Sequence, residues 1–175
     1  IHCQMLSDDD AGRLMTWTRA EDVHLVNVVK MGDIFRTYFE QRGFGKEYRV
    51  VQGDYTLSPG QECPRTSQLG HTLAMNTTSM VRDTDKYFLY DRMFDAVHAQ
   101  GGLTGYAHVH NDGFWVHCDM SINVPNGKLD FAEILQFHVK TMADIGKIAA
   151  LKPKLRERHI ETPIAVKLDS AEVTL

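Results

Sequence analysis

Glu62 and His71 are the residues whose types and spacing most invite chemistry. They stand on either side of a turn-rich stretch, Ser58 to Asn76, with Gly60 and Gly70 just ahead of them. Glycine lets a backbone approach an ion closely, or take positive φ, without a Cβ clash. A carboxylate with several imidazoles is a usual ligand set for zinc, iron or manganese in hydrolytic centres. The argument therefore turns on what else converges. Nine histidines are spread along the chain, which excludes a tag, and His2, His71, His108, His110 and His138 fall in or at the ends of segments that read as strands. Residues two apart on a strand share a face, so His108 and His110 can both look into one site. Glu133 lies in an apolar strand-like run, where a carboxylate needs a partner or a cation; a salt-bridged core Glu is the equal alternative. Arg65 is placed to steady an anionic substrate group, with a surface salt bridge as the competing role. His24, His98 and His117 read as structural or surface residues.

Elements must position these groups. Ser7 and Asp8 to Asp10 cap a helix running through about Asp22, with Leu14, Trp17 and Met15 turned inward. His24 to Lys30 is apolar on both faces, the pattern of a buried parallel strand. Phe35 to Gln41 reads as a short helix, then Tyr48 to Leu57 and Leu69 to Asn76 as strands. Thr84 to Gln100 is the clearest helix, because Tyr90, Met93, Phe94 and Val97 recur at helical spacing and Gly101-Gly102 stops it. Leu103 to Val109 and Leu129 to His138 follow as strands. The alternation predicts an α/β fold with a mainly parallel sheet and reactive groups at strand ends.

Composition narrows the function. The chain has 175 residues, 43% hydrophobic, with a formal charge of -4, as expected of one soluble domain with a real core. A pI near 6 without a Lys/Arg run lacks the electrostatic footprint of a nucleic-acid binder. No window approaches the roughly 20 apolar residues of a spanning helix, and the N-terminal residues do not have the pattern of a signal peptide. Cys3, Cys63 and Cys118 are odd in number and widely spaced, so they read as free thiols rather than a disulfide framework.

Four segments in order carry a family resemblance: Ile1-His2-Cys3; Pro59 to Thr66 with Gly70 to Leu73; Gly101 to His108; and Asp130 to Leu135. Together they resemble the polymerase-and-histidinol-phosphatase (PHP) superfamily, in its carbaryl-hydrolase-like branch. The resemblance implies a distorted (β/α)7 barrel holding two or three divalent metals at its mouth. His2 resembles the second histidine of the opening His-x-His, Glu62 the glutamate of the Gly-x-Glu segment, His71 the histidine beyond it, and His108 the histidine after the next strand. It covers Ile1 to about Val139 as an incomplete domain. The first histidine of the opening pair would precede Ile1, Val29-Lys30-Met31 stands where Thr-Asp-His is usual, and no Gly-Ser-Asp segment follows. Residues 140–175 do not match; they read as a helix around Met142 to Leu151, a basic segment Lys152 to Arg158 and a strand-like Ile164 to Leu168, packed on the same domain.

The implied activity is metal-dependent hydrolysis of a small ester, carbamate or phosphoester through a metal-activated water, with zinc, manganese or iron as cofactor. The metal ligands would be His2, Glu62, His71 and His108, and Glu62, His71 and Arg65 would act in catalysis. Glu62 would then be an exposed ligand at a barrel mouth. The rival reading is a metal-binding or interaction protein without turnover. A nucleophilic hydrolase ranks last, because no Gly-x-Ser-x-Gly elbow is present.

Overall fold

The computed structural model describes residues 1–107, 120–133, 164–168 and 171–174. In chain order these form α1 (Asp8–Ala20), β1 (Leu25–Gly32), β2 (Thr37–Phe39), a 3-10 turn (Lys46–Tyr48), β3 (Val50–Gln52), β4 (Tyr55–Thr66) and β5 (Gly70–Met75). Then come α2 (Tyr90–His98), β6 (Leu103–Ala107), α3 (Met120–Asn123), β7 (Phe131–Glu133), β8 (Ile164–Leu168) and β9 (Ala171–Thr174). His108, His110, His117, Cys118, His138, the helix expected at Met142 to Leu151 and the basic segment after it lie outside the described residues.

The first helix starts where its capping residues direct. Ser7 Oγ accepts from the Asp10 N–H at 3.1 Å, and the Asp10 carboxylate accepts from the Ser7 N–H at 3.1 Å. This reciprocal box satisfies donors that a helix start leaves unpaired. Leu14 and Met15 are buried as expected, but Trp17 is 74% exposed. The buried face of α1 runs through Ala11, Leu14, Met15 and Thr18, and Trp17 lies off that stripe.

The stretch from Phe35 to Gln41 is a returning strand, not a helix. The Asp33 carboxylate accepts from the N–H groups of Phe35 and Arg36, at 2.8 and 3.0 Å, and turns the chain back so that β2 pairs antiparallel with β1. The strand expected at Tyr48 to Leu57 is likewise a hairpin. Gln52 pairs with Tyr55 around Gly53 and Asp54, and Gly53 takes a φ of 60°, as a tight two-residue loop requires.

The strands join one mixed sheet in the order β2-β1-β4-β5-β6-β7-β8-β9, with β3 on β4. The mainly parallel (β/α)7 barrel is therefore not the fold. Among the described residues β1·β2, β3·β4, β4·β5, β5·β6 and β8·β9 pair antiparallel, while β1·β4, β6·β7 and β7·β8 are parallel. Among the described residues the path runs from β2 to β9 without closing. Connection lengths explain part of this: only residues 67–69 separate β4 from β5, whereas a parallel crossover needs about a dozen or more.

Between β5 and β6 the chain does contain a helix, yet the strands are antiparallel. The connection leaves and re-enters at one end of the sheet. Asn76 Nδ2 donates to the Gly101 carbonyl at 3.0 Å, and Gln100 Oε1 accepts from the N–H groups of Thr78 and Ser79 at 2.9 Å each. Gly102 sits so near β5 that a Cβ there would meet the Met75 carbonyl oxygen at 2.8 Å.

Register sorts the side chains onto two faces. Val28, Leu57, Ala74 and Tyr106 share one face, and both long helices pack there: α1 through Ala11, Leu14 and Met15, and α2 through Tyr90, Met93, Phe94 and Val97. The other face carries Val29, Leu73, Ala107 and Phe131 as a smaller apolar cluster, together with Glu62 and His71. Among the described residues no helix is long and apolar enough to cross a membrane.

Candidate functional site

Glu62 lies in the middle of β4 and is fully buried. Its neighbour on β1 is Met31, two residues beyond Val29, so Val29 and Glu62 face the same way. The N-terminal segment extends alongside: His2 bridges Val29 in parallel, and the Ile1 carbonyl accepts from the Val29 N–H at 2.8 Å. This pairing carries the His2 ring across to Glu62, where Nε2 lies against Oε2. The His2 side chain keeps 27% of its surface exposed, so the cluster has an open side.

A bulge brings in the third and fourth groups. Glu62 pairs with Leu73 and Arg65 with His71, so β4 spends three steps where β5 spends two. The extra residue falls in the Cys63-Pro64 stretch, whose peptide bond is cis. In a regular strand, a residue three places on would point to the opposite face; the bulge turns Arg65 back to the side of Glu62. Arg65 Nε then donates to Glu62 Oε1 at 3.0 Å, and His71 Nδ1 stands 2.9 Å from the same oxygen. Arg65 Nη2 is 3.5 Å from His71 Nδ1. The shorter contact assigns the Nδ1 proton to the bond with Glu62.

The electrostatics follow from this arrangement. Burial pushes the Glu62 carboxyl upward, but the His2 and His71 rings beside it hold it well below the usual carboxylate range. The two oxygens are served unequally. Oε1 takes Arg65 and His71, whereas Oε2 faces the His2 ring alone.

Two imidazoles and a carboxylate are donors suited to zinc, manganese or iron. As the side chains stand, Arg65 occupies Oε1 of that carboxylate. Among the described residues no group of three or more His, Cys, Asp or Glu side chains is arranged to hold a metal ion.

The expected site residues thus fall into three groups. His2, Glu62, His71 and Arg65 come together. His108 lies outside the described residues. Glu133 ends β7, its backbone paired with Ala165. Glu62 is not an exposed ligand at a barrel mouth, because β4 runs unbroken through what reads in the sequence as a turn-rich stretch. Cys63 points away from the cluster, 3.9 Å from Tyr87 Oη, and burial pushes its thiol up, away from thiolate chemistry. His24 is exposed and stacks on Tyr55, while His98 bonds Asp130 at 2.8 Å, both in structural roles.

Two neighbours are not legible in the sequence. Tyr38 lies with its ring 5.9 Å from the Arg65 guanidinium carbon, and Tyr87 Oη accepts the Arg65 N–H at 3.0 Å from the other side of the sheet. Both arise from strand pairing and the bulge, which leave no local motif. No family model, curated protein or solved structure matches the chain.

Proposed function

We propose that the chain is a metal-dependent hydrolase of small esters, carbamates or phosphoesters, with His2, Glu62 and His71 as metal ligands. The observation that carries this is the gathering of two imidazoles around one buried carboxylate from three separate segments. The resemblance of these segments to the PHP motifs supports it through the residues themselves. A bound divalent ion would supply a water acidified toward neutrality and polarise the scissile oxygen.

The protein's own part is positioning. Glu62 carries the anionic charge of the site, and His2 and His71 would present lone pairs rather than N–H groups to a cation. Arg65, released from Oε1, stays on the same face by virtue of the bulge and is placed to hold an anionic substrate oxygen.

The test is metal stoichiometry after equilibration with zinc or manganese, together with turnover of aryl ester, carbamate and phosphoester substrates. Wild type is expected to retain metal and hydrolyse at least one of them, and Glu62→Gln to lose both, with turnover down at least about a hundredfold. Wild-type turnover in Glu62→Gln would overturn the mechanism. A second reading is favoured by one contact, Arg65 Nε on Glu62 Oε1 at 3.0 Å: the cluster is then a buried charge network without turnover. Wild type that takes up no metal, or takes it up and never turns over, selects that reading.

A further inference from the structure

On the helix-bearing side of β4, behind Cys63 and Pro64, lies a cavity of about 530 Å³ between the 81–89 connection and α2. Three cations line it, Arg82, Lys86 and Arg92, against one carboxylate, Asp83. That carboxylate is turned into its own backbone, where Oδ1 accepts from the N–H groups of Asp85 and Lys86 at 3.0 and 3.2 Å.

Arg82 is anchored from outside the cavity: Nη1 reaches Thr37 Oγ1 at 3.5 Å and Nη2 donates to the Asp33 carbonyl. Its Nε is buried and has no hydrogen-bond partner. A guanidinium N–H left unsatisfied in a protein interior is costly, and a small turn of the Arg82 side chain toward the cavity would let an oxyanion relieve it. Lys86 and Arg92 have their neighbouring carboxylates, Asp83 and Asp91, 3.8 Å away and exposed. Pairs of that kind hold their partners weakly, so both cations can turn to a ligand. The rest of the wall is apolar, with Val81, Leu89 and Met93 prominent. The volume is in the range that encloses most of a small organic molecule.

We propose that this cavity binds a small amphipathic anion, its carboxylate or phosphate head on Arg82, Lys86 and Arg92 and its short apolar body against Val81, Leu89 and Met93. The site is separate from the Glu62 cluster, which faces the other side of β4, so the proposal stands or falls independently of the hydrolase reading.

Calorimetric titration of the full chain with octanoate, phenyl phosphate and neutral octanamide tests it. At least one anion is expected to bind, with octanamide at least about tenfold weaker and anion affinity falling as salt rises. The response to the two anions separates a carboxylate from a phosphate site. The double variant Lys86→Gln, Arg92→Gln changes two exposed side chains and should weaken anion binding at least about tenfold without moving the thermal midpoint. Arg82→Gln should weaken it further; if that variant is unstable, the double variant decides. Octanamide binding as tightly as octanoate, absence of binding by both anions, or unchanged affinity in the double variant would each overturn the assignment.

Discussion

Burying a carboxylate costs several kcal/mol unless it is paired, and Glu62 offsets that cost with Arg65, His71 and the neighbouring His2 ring. Glu62→Ala therefore strands a guanidinium and two imidazoles, and urea unfolding should show a loss of about 3–5 kcal/mol. The pH dependence has a definite sign. The folded carboxyl titrates well below its ordinary 4.5, so its contribution is fully present above that value and is lost as pH falls through the depressed folded value. Urea midpoints measured from about pH 7 down to pH 3 should drop steeply in wild type and more shallowly in Glu62→Gln. An equal slope in both would remove Glu62 as the cause. The Glu62 and His71 pairing was legible because their types and the intervening turn residues are local. The facing of Arg65 was not, since it depends on a bulge that appears only when β5 pairs with β4.

Among the elements, both long helices were legible for physical reasons. The Ser7 box is written in adjacent residues, and Ser7→Ala should cost about 1 kcal/mol in thermal or urea unfolding; an unchanged midpoint would show that the box contributes nothing. The core stripe of α2 follows from spacing alone, although the helix itself occupies only Tyr90–His98 of the expected Thr84 to Gln100. The Asp83 carboxylate engages the following N–H groups and holds a turn ahead of it. The hairpins escape a reading by segments, because one strand over Tyr48 to Leu57 runs through Gly53-Asp54 and a helix from Phe35 passes over the turn at Asp33, the two turns that set antiparallel pairing. On β6, Gly105 packs under the Phe131 ring, and a Cβ there would meet ring carbon Cε2 at 2.4 Å. Gly105→Ala should therefore destabilise the fold by about 1–3 kcal/mol, measured by urea unfolding, through displacement of that ring.

For the whole molecule, the alternation of strand and helix suggested crossovers, but strand direction depends on where a connection re-enters, and that is fixed by contacts such as Asn76 with Gly101. The two cores under α1 and α2 share one sheet through β4, β5 and β6. Leu57→Ala and Phe94→Ala, at opposite ends of that layer and both fully buried, should each cost about 2–5 kcal/mol. Both should shift one common transition, seen alike by far-ultraviolet circular dichroism and tryptophan fluorescence; separate transitions would show that the sheet does not unify the cores.

The bulge on β4 also governs how the chain tolerates changes in length. Ordinarily the loss of one residue from a buried strand exchanges its faces beyond the cut. Removing Ser58 would do this, parting Leu57 from the register that sends Glu62 to the opposite side. Removing Pro64 would not: it takes out the surplus residue of the bulge, leaving Arg65 two places from Glu62 and still opposite His71. The sheet thus carries a residue of slack beside its buried carboxylate.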